Sequence, residues 1–440
     1  MLLMIANVCM ALSLMMTALI LPVAIWQLII AVRGLAPMKH LEKKEERFYR
    51  FAVLVCARNE ENVIGGLVDS LRVQKYPRGC FTVFVVADNC DDYTADEASR
   101  HGAEVYERFN KLEVGKGYAL RWAIKKLNED HAGEFDAVCV FDADNLAAPD
   151  FLMNMNKAFC AGADVAQGYR DTKNPHSSWI SNCYAVYWMM LSRFYHRARY
   201  NWGLNCMVSG TGFAFKLSVL GPEGWNTRTL VEDCEFSIQQ ACKGNRIVPV
   251  YGAVFYDEQP SSFAVSLRQR HRWVVGTVQC CRHYITKVFR SGNIKAIDMA
   301  SFMLSIPAMG LMVPAGLLSA LALLLRPNGL PVMALCILAG LLLGSMAMSA
   351  VALVTVLLEG RPAGRYASAI LTFPIFLLPM TLLCAVAVVH PHAQWKPIVH
   401  GDTRSIAEVS DIKKEPDRKR ETLERMTLKI SAIAGRLARK

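Results

Sequence analysis

Three apolar runs, residues 51–57, 81–87 and 137–141, each stop abruptly at a cluster of polar residues. Runs of β-branched and aromatic residues without a polar face read as strands buried on both sides, the kind found in parallel sheets. Residues 62–74, 94–101 and 118–128 carry helical periodicity, with a short strand at 104–106. This alternation constrains the chain to a doubly wound α/β domain, whose ligand crevice lies beyond the carboxyl ends of the strands. Those ends are Arg58-Asn59-Glu60-Glu61, Asp88-Asn89-Cys90-Asp91-Asp92 and Asp142-Ala143-Asp144-Asn145. A capped helix start accounts for any one of them as structure alone. Three at one edge point to a nucleotide crevice. In Asp142-Ala143-Asp144, two acids one residue apart can face the same side. Such a pair can hold a hard divalent cation beside phosphate oxygens. A lone Asp-x-Asp is more often an acidic turn, so the weight rests on the company it keeps further along.

Both ends of the chain are apolar and its middle is not. Residues 1–32 contain no Asp, Glu, Lys or Arg, and roughly 20 apolar residues span a bilayer. A secretory signal needs a basic start, a shorter apolar core and a small-residue cleavage site. None is clear here, so the run reads as a retained anchor. The linker 33–50 carries an excess of Lys and Arg, which puts it and the domain that follows in the cytoplasm. Residues 299–325 and 330–358 are each long enough to span, after an interfacial helix region at 274–298. Segment 366–390 is ambiguous. Pro374 and Pro379 interrupt it, and a crossing would leave the basic tail 391–440 outside, against the positive-inside tendency. The expectation is an interfacial or re-entrant pair of short helices, with a membrane span as the alternative, and a cytoplasmic tail. The layout is that of a multi-pass protein of the cell (inner or plasma) membrane with a cytoplasmic domain.

The net charge of +11 suits anionic lipid or phosphate-bearing ligands. Nucleic acid is disfavoured, because no zinc-finger spacing or RNA-binding aromatic motif is visible. The 14 cysteines are scattered, with Cys280-Cys281 the one adjacent pair, which argues for reduced, buried thiols rather than a disulfide framework.

Beyond residue 200, Gly210-Thr211-Gly212-Phe213 suits a tight turn near a ligand. Leu230-Val231-Glu232-Asp233 brings acids out of an apolar pair. A partly buried carboxylate there can be tuned to take a proton from a hydroxyl. The plainer account is that the acids begin a helix over 235–242. In Gln269-Arg270-His271-Arg272-Trp273, helical offsets put Gln269, Arg272 and Trp273 on one face. Arg272 can fork onto diphosphate oxygens, Gln269 can hydrogen-bond there, and Trp273 can stack on a sugar. A basic interfacial helix bearing one Trp is the alternative, and the two are compatible. Trp202, Trp225 and Tyr169 offer further stacking faces, or serve as core and rim aromatics.

Taken in order, Ala57-Arg58-Asn59-Glu60, Asp88, Gly115-Lys116-Gly117-Tyr118-Ala119-Leu120, Asp142-Ala143-Asp144, Glu232-Asp233 and Gln269–Trp273 resemble the membrane-embedded family 2 glycosyltransferases. That group includes cellulose, hyaluronan, chitin-oligosaccharide and poly-N-acetylglucosamine synthases. The resemblance covers residues 51–273 well and the membrane layout more loosely. It implies a GT-A type fold, a Rossmann-like mixed sheet, inserted between transmembrane helices. The donor would be a nucleotide-diphosphate sugar, most often a uridine one. Ala57, Asn59 and Glu60 would line the nucleoside pocket, Asp88 would read the base, and Lys116 would approach the nucleotide. Asp142 and Asp144 would hold Mg²⁺ or Mn²⁺ on the diphosphate. Gly210 and Thr211 would lie near the acceptor. Asp233 would be the general base, with Glu232 beside it, and Arg270 would join Gln269, Arg272 and Trp273 in binding donor and acceptor. Residues 395–400, with Trp395, resemble in position a gating loop over the donor. Two departures stand out: Asp88 is followed by Asn-Cys, leaving Asp91 and Asp92 as stand-ins, and Val231 precedes Glu-Asp where Thr is commoner.

Three functions follow as expectations. The first is a processive synthase extending a β-linked glycan, with room for an accessory membrane or export subunit. The second is a non-processive transferase adding one sugar to a lipid or glycan acceptor. The third, a non-catalytic membrane transport or scaffold protein, has no use for a base and a metal pair together.

Overall fold

The computed structural model of the chain describes residues 1–42, 44–393 and 400–411. The expected gating-loop residues 395–399, Trp395 among them, and the tail from 412 onward lie outside the described residues.

The chain opens with the apolar helix α1 (Leu2–Val32) and then alternates. The order is β1 (Phe51–Ala57), α2 (Ile64–Arg72), β2 (Phe81–Asp88), α3 (Thr94–Arg100), β3 (Glu104–Arg108), α4 (Lys116–Asp130), β4 (Ala137–Asp142), β5 (Leu146–Ala147), α5 (Phe151–Cys160) and β6 (Val165–Thr172). Next come α6 (Trp179–Met190), which runs through a π-helical stretch into α7 (Ala198–Trp202), then β7 (Phe213–Lys216), α8 (Glu232–Cys242) and β8 (Ile247–Asp257). The eight strands form one mixed sheet in the order β3-β2-β1-β4-β7-β6-β8-β5. Its first four strands are parallel, and β7 enters antiparallel between β4 and β6. Successive residues of β1 feed opposite faces. Phe51, Val53 and Val55 pack with Leu67, Leu71 and Phe159 of α2 and α5, whereas Ala52 and Leu54 pack with Leu120, Ile124 and Phe236 of α4 and α8. Burial on both sides is why the strand reads as an unbroken apolar run.

After β8 the chain forms α9 (Phe263–Ser291), α10 (Ile294–Leu324), α11 (Gly329–Leu358), α12 (Ala367–Val389) and the short α13 (Ile406–Asp411). Among the described residues, α1, α10, α11 and α12 are the helices long and apolar enough to cross a membrane. Antiparallel contacts join α1 to α10: Ser13 Oγ donates to Ala315 O at 2.8 Å, and Trp26 Nε1 to Asp298 Oδ1 at 2.9 Å. Two buried ion pairs tie these helices to the domain. Arg199 of α7 meets Asp298 of α10 at 2.8 Å, and Arg193 meets Glu359 at the end of α11 at 2.6 Å.

Two elements differ from expectation. The boundary drawn at 273/274 falls inside one continuous 29-residue helix: no proline interrupts it there, Gly276 is kept for close packing, since a Cβ would lie 2.7 Å from Val231 Cγ1, and Gly292, left-handed at φ 61°, ends the helix instead. Segment 366–390 holds a single helix of 23 residues with both prolines inside it, not a pair of short ones. A neighbouring helix packs there: Arg270 of α9 donates to Phe376 O, next to the Ile375 carbonyl that Pro379 leaves without an amide partner. Both ends of α12 touch the domain or the helix leading from it. Asn182 donates to Arg365 O at 3.2 Å, and Arg282 and Gln279 of α9 donate to Val388 O and Pro391 O, each at 3.0 Å. Residues 400–411 then pack back on the domain, with Val409 buried against Leu146 and Tyr256.

Candidate active site

A cavity of about 680 Å³ lies beyond the carboxyl ends of β1, β2 and β4 and is closed on one side by α9. Its polar part is assembled by strand ends. Asp88 ends β2, is buried, and is held by Arg108 at 2.5 Å and by Asn89 Nδ2 at 3.0 Å. Asp142 ends β4; its amide donates to Thr211 Oγ1 at 2.8 Å, which fixes the strand end against the following turn. Lys116, at the start of α4, forms an ion pair with Asp142 and donates to Gly210 O at 2.7 Å. Burial alone would lower the Lys116 ammonium, but the Asp142 and Glu232 carboxylates raise it and keep it charged. Gly117 is glycine for lack of room, since a Cβ would lie 2.8 Å from Thr227 Oγ1 and 3.4 Å from Glu232 Cβ.

Asp144 is buried beside Asp142 and faces His400, whose Nε2 lies 3.6 Å away while its Nδ1 lies 2.9 Å from Glu60. Burial pushes the Asp144 carboxyl up to about 8. Burial would lower His400, but Asp144 and Glu60 hold it up at about 10. The segment carrying His400 is anchored by the Gly401 and Asp402 amides, which donate to Glu258 at 3.2 and 3.0 Å.

Opposite the Asp142–Asp144 turn, Glu232 and Asp233 occupy the first turn of α8. A Cβ on Gly210, which is left-handed at φ 81°, would lie 3.5 Å from Asp233 Oδ2, so the glycine turn passes directly under this carboxylate. Burial raises Glu232 to about 7 and raises Asp233 above the ordinary carboxylate range, against the pull of Lys116 and Arg272 on both. The pair titrates together, and a carboxylate so placed can accept a proton near neutral pH.

The donor set at Asp142 and Asp144 fits a hard divalent cation completed by phosphate oxygens. Among the described residues no group of three or more His, Cys, Asp or Glu side chains converges to enclose an ion. Two carboxylates beside a crevice large enough for a nucleotide match the way Mg²⁺ is held together with substrate phosphates.

The family assignment follows from the same region. A family described as "Glycosyltransferase like family 2" matches residues 49–276, just over half the chain. The chain belongs to this family. It is 26% identical over 247 residues to the probable glycosyltransferase YdaM of Bacillus subtilis, covering 55% of this chain and 58% of that protein. It is also 26% identical over 284 residues to a beta-monoglucosyldiacylglycerol synthase of Trichormus variabilis, covering 61% and 58%. Glucomannan 4-beta-mannosyltransferase 7 of Arabidopsis thaliana is 21% identical over 294 residues, covering 58% and 51%. The chain thus spans little more than half the length of these relatives. The mannosyltransferase PcManGT from Pyrobaculum calidifontis, solved in complex with GDP-Man and Mn²⁺, shares the fold at a TM-score of 0.58 and 18% identity, over 87% of this chain and 99% of that one. The family 2 domain has the GT-A fold.

Of the residues singled out from sequence, the family 2 domain brings Ala57, Glu60, Asp88, Lys116, Asp142, Asp144, Gly210, Glu232, Asp233, Gln269, Arg272 and Trp273 to the cavity wall. Three expected binding residues and three candidate stacking aromatics are placed elsewhere. Asn59 is exposed, left-handed at φ 57°, and pairs with Asp91 rather than lining the cavity. Thr211 is buried beneath the site, bonded to Asp142 and Asn145. Arg270 points away, stacked 4.2 Å from the Phe376 ring centroid on α12, because the helical turn that aims its neighbours inward aims it outward. Trp225 and Tyr169 are buried, Trp225 stacked on Phe236 and Tyr169 bonded to Glu359; Trp202 lies under Arg33. Sequence reasoning missed Arg170, Trp188 and His400 on the wall. Only His400 had a signal, as the last residue of the 395–400 motif.

Proposed function

We propose that the cavity carries out inverting glycosyl transfer from a nucleotide-diphosphate sugar, with uridine as the base in the simplest reading. The observation that carries this is one cavity walled by both acidic pairs, Asp142/Asp144 at the end of β4 and Glu232/Asp233 at the start of α8. Asp142 and Asp144 would hold Mg²⁺ or Mn²⁺, which when bound neutralises charge on the departing diphosphate. Arg272 and Lys116 add positive charge on the same side. An acceptor hydroxyl beside Asp233 gives its proton to that carboxylate as its oxygen bonds to the anomeric carbon. The bond from that carbon to the diphosphate breaks, and the electron pair leaves with the nucleoside diphosphate. Attack from the face opposite the leaving group inverts the anomeric centre.

The basic linker favours a cytoplasmic domain. The contacts at both ends of α12, and the return of residues 400–411 to the domain, favour a tail on the same side. Processive synthesis, with or without an accessory subunit, is the second reading, favoured by Gln269, Arg272 and Trp273 sharing the cavity wall. Membranes from cells making the full chain, given labelled nucleotide sugars with and without EDTA, test the reading. Metal-dependent incorporation that disappears in Asp233→Asn is expected. Equal incorporation with EDTA contradicts the metal role, and equal incorporation with Asp233→Asn contradicts the base.

A further inference from the structure

The wall of the cavity changes character away from the strand ends. Beyond Asp233 it is formed mainly by Leu230, Val274 of α9, Phe302, Met303 and Ile306 of α10, and Met380 of α12, with Thr277 and His392 also on the wall. Both α10 and α12 are apolar enough to lie in a bilayer. One continuous space therefore joins a buried carboxylate to the gap between two lipid-compatible helices. Four residues past Ile306 the gap closes: at Gly310 a Cβ would lie 3.0 Å from the backbone of Cys384, so α10 and α12 touch there.

Such a wall discriminates between acceptors. Sugar hydroxyls pushed against Leu, Val, Met and Ile side chains lose water without gaining partners, which is costly, whereas methylenes gain from the same burial. A cavity of about 680 Å³ cannot also enclose a long chain once a nucleotide sugar is bound, so a longer aliphatic part would leave it on the α10 and α12 side, short of the contact at Gly310. An acceptor whose nucleophile is already an anion has no proton for a base to take, which leaves the Glu232/Asp233 pair on the cavity wall without a use.

Resting on the transfer chemistry proposed above, we infer that the acceptor is a membrane amphiphile with a neutral hydroxyl head, seated with the hydroxyl at Asp233 and its aliphatic part on the wall formed by Met303, Ile306 and Met380. One sugar is added to the hydroxyl oxygen, the proton passes to Asp233, and the nucleoside diphosphate leaves.

The test uses membranes from cells making the full chain, with membranes carrying Asp233→Asn as background. Tritiated UDP-glucose, UDP-galactose, UDP-N-acetylglucosamine and GDP-mannose are supplied in turn, and products are partitioned between chloroform–methanol and water. The expected product enters the organic phase and releases a single labelled sugar on glycosidic cleavage. Ile306→Trp and Met380→Trp, which fill the apolar end, should each cut that product more than tenfold while donor binding to the purified protein persists; Ile306→Val and Met380→Leu should retain it. Label in a water-soluble or insoluble polymer, or Trp variants as active as the parent, overturns the amphiphile and leaves the transfer reading standing. No incorporation above background from any donor overturns the transfer reading itself.

Discussion

The two halves of the cavity are built by different means. The proposed donor half stands on the ends of parallel strands, where backbone ladders fix Asp88 and Asp142, the turn after β4 carries Asp144, and bonds with Arg108, Thr211 and Lys116 orient the first two. The proposed acceptor half stands on helices docked from outside the sheet. Its shape depends on where α9, α10 and α12 sit, and α10 and α11 are tied to the domain by buried ion pairs. A sheet edge positions a carboxylate through its own strand, whereas a docked helix positions a wall through contacts far away. The halves should therefore fail differently when broken.

The largest effect is expected at the donor half. Asp142→Asn or Asp144→Asn should abolish both metal-dependent nucleotide-sugar binding and transfer while the protein still inserts and folds, read by calorimetry and label incorporation. Binding that survives in both variants would mean that the donor is held elsewhere.

Breaking the acceptor half from a distance should come next. Asp298→Ala leaves Arg199 buried without its carboxylate, a loss of about 3–5 kcal/mol when one partner of a buried pair is removed. The thermal transition should fall, and transfer should drop more than donor binding. Equal loss of both would mean that the halves are not independent.

A subtler distinction lies in pH. Asp233 is raised above the ordinary carboxylate range by burial, so it is protonated at a higher pH than a solvated Asp. Transfer should therefore decline as pH falls through that raised value, and the acid limb of kcat should lie above the limb of an exposed carboxylate. A limb at the ordinary Asp value would remove Asp233 from the role of base.

The strand-end half of the cavity was legible because its acids coincide with a change in sequence pattern: apolar run, then acids. The acceptor half was not. Met303, Ile306 and Met380 look like any other membrane-helix residues, and only the docking of α10 and α12 turns them into a wall. Arg270 was misread because a motif lists neighbours together, whereas a helix sends adjacent residues about 100° apart. The prolines of α12 misled because a helix packed among neighbours tolerates them, and those neighbours, α6, α9 and α10, come from distant parts of the sequence.

The smallest expected effect concerns the segment that covers the donor half. His400→Ala removes a charged contact to Glu60 and Asp144. The donor KM should rise about tenfold, the scale of one charge-assisted hydrogen bond of about 1.5 kcal/mol, with kcat little changed. An unchanged KM would show that this contact does not shape the donor half.

The central claim is that donor binding and proton removal belong to different halves, with Asp233 serving the second alone. The direct measurement is nucleotide-sugar affinity and transfer rate on the same preparation of Asp233→Asn. The account predicts affinity as in the parent protein and transfer reduced by about 10²–10⁴. Transfer at the parent rate, or affinity lost together with transfer, would contradict it.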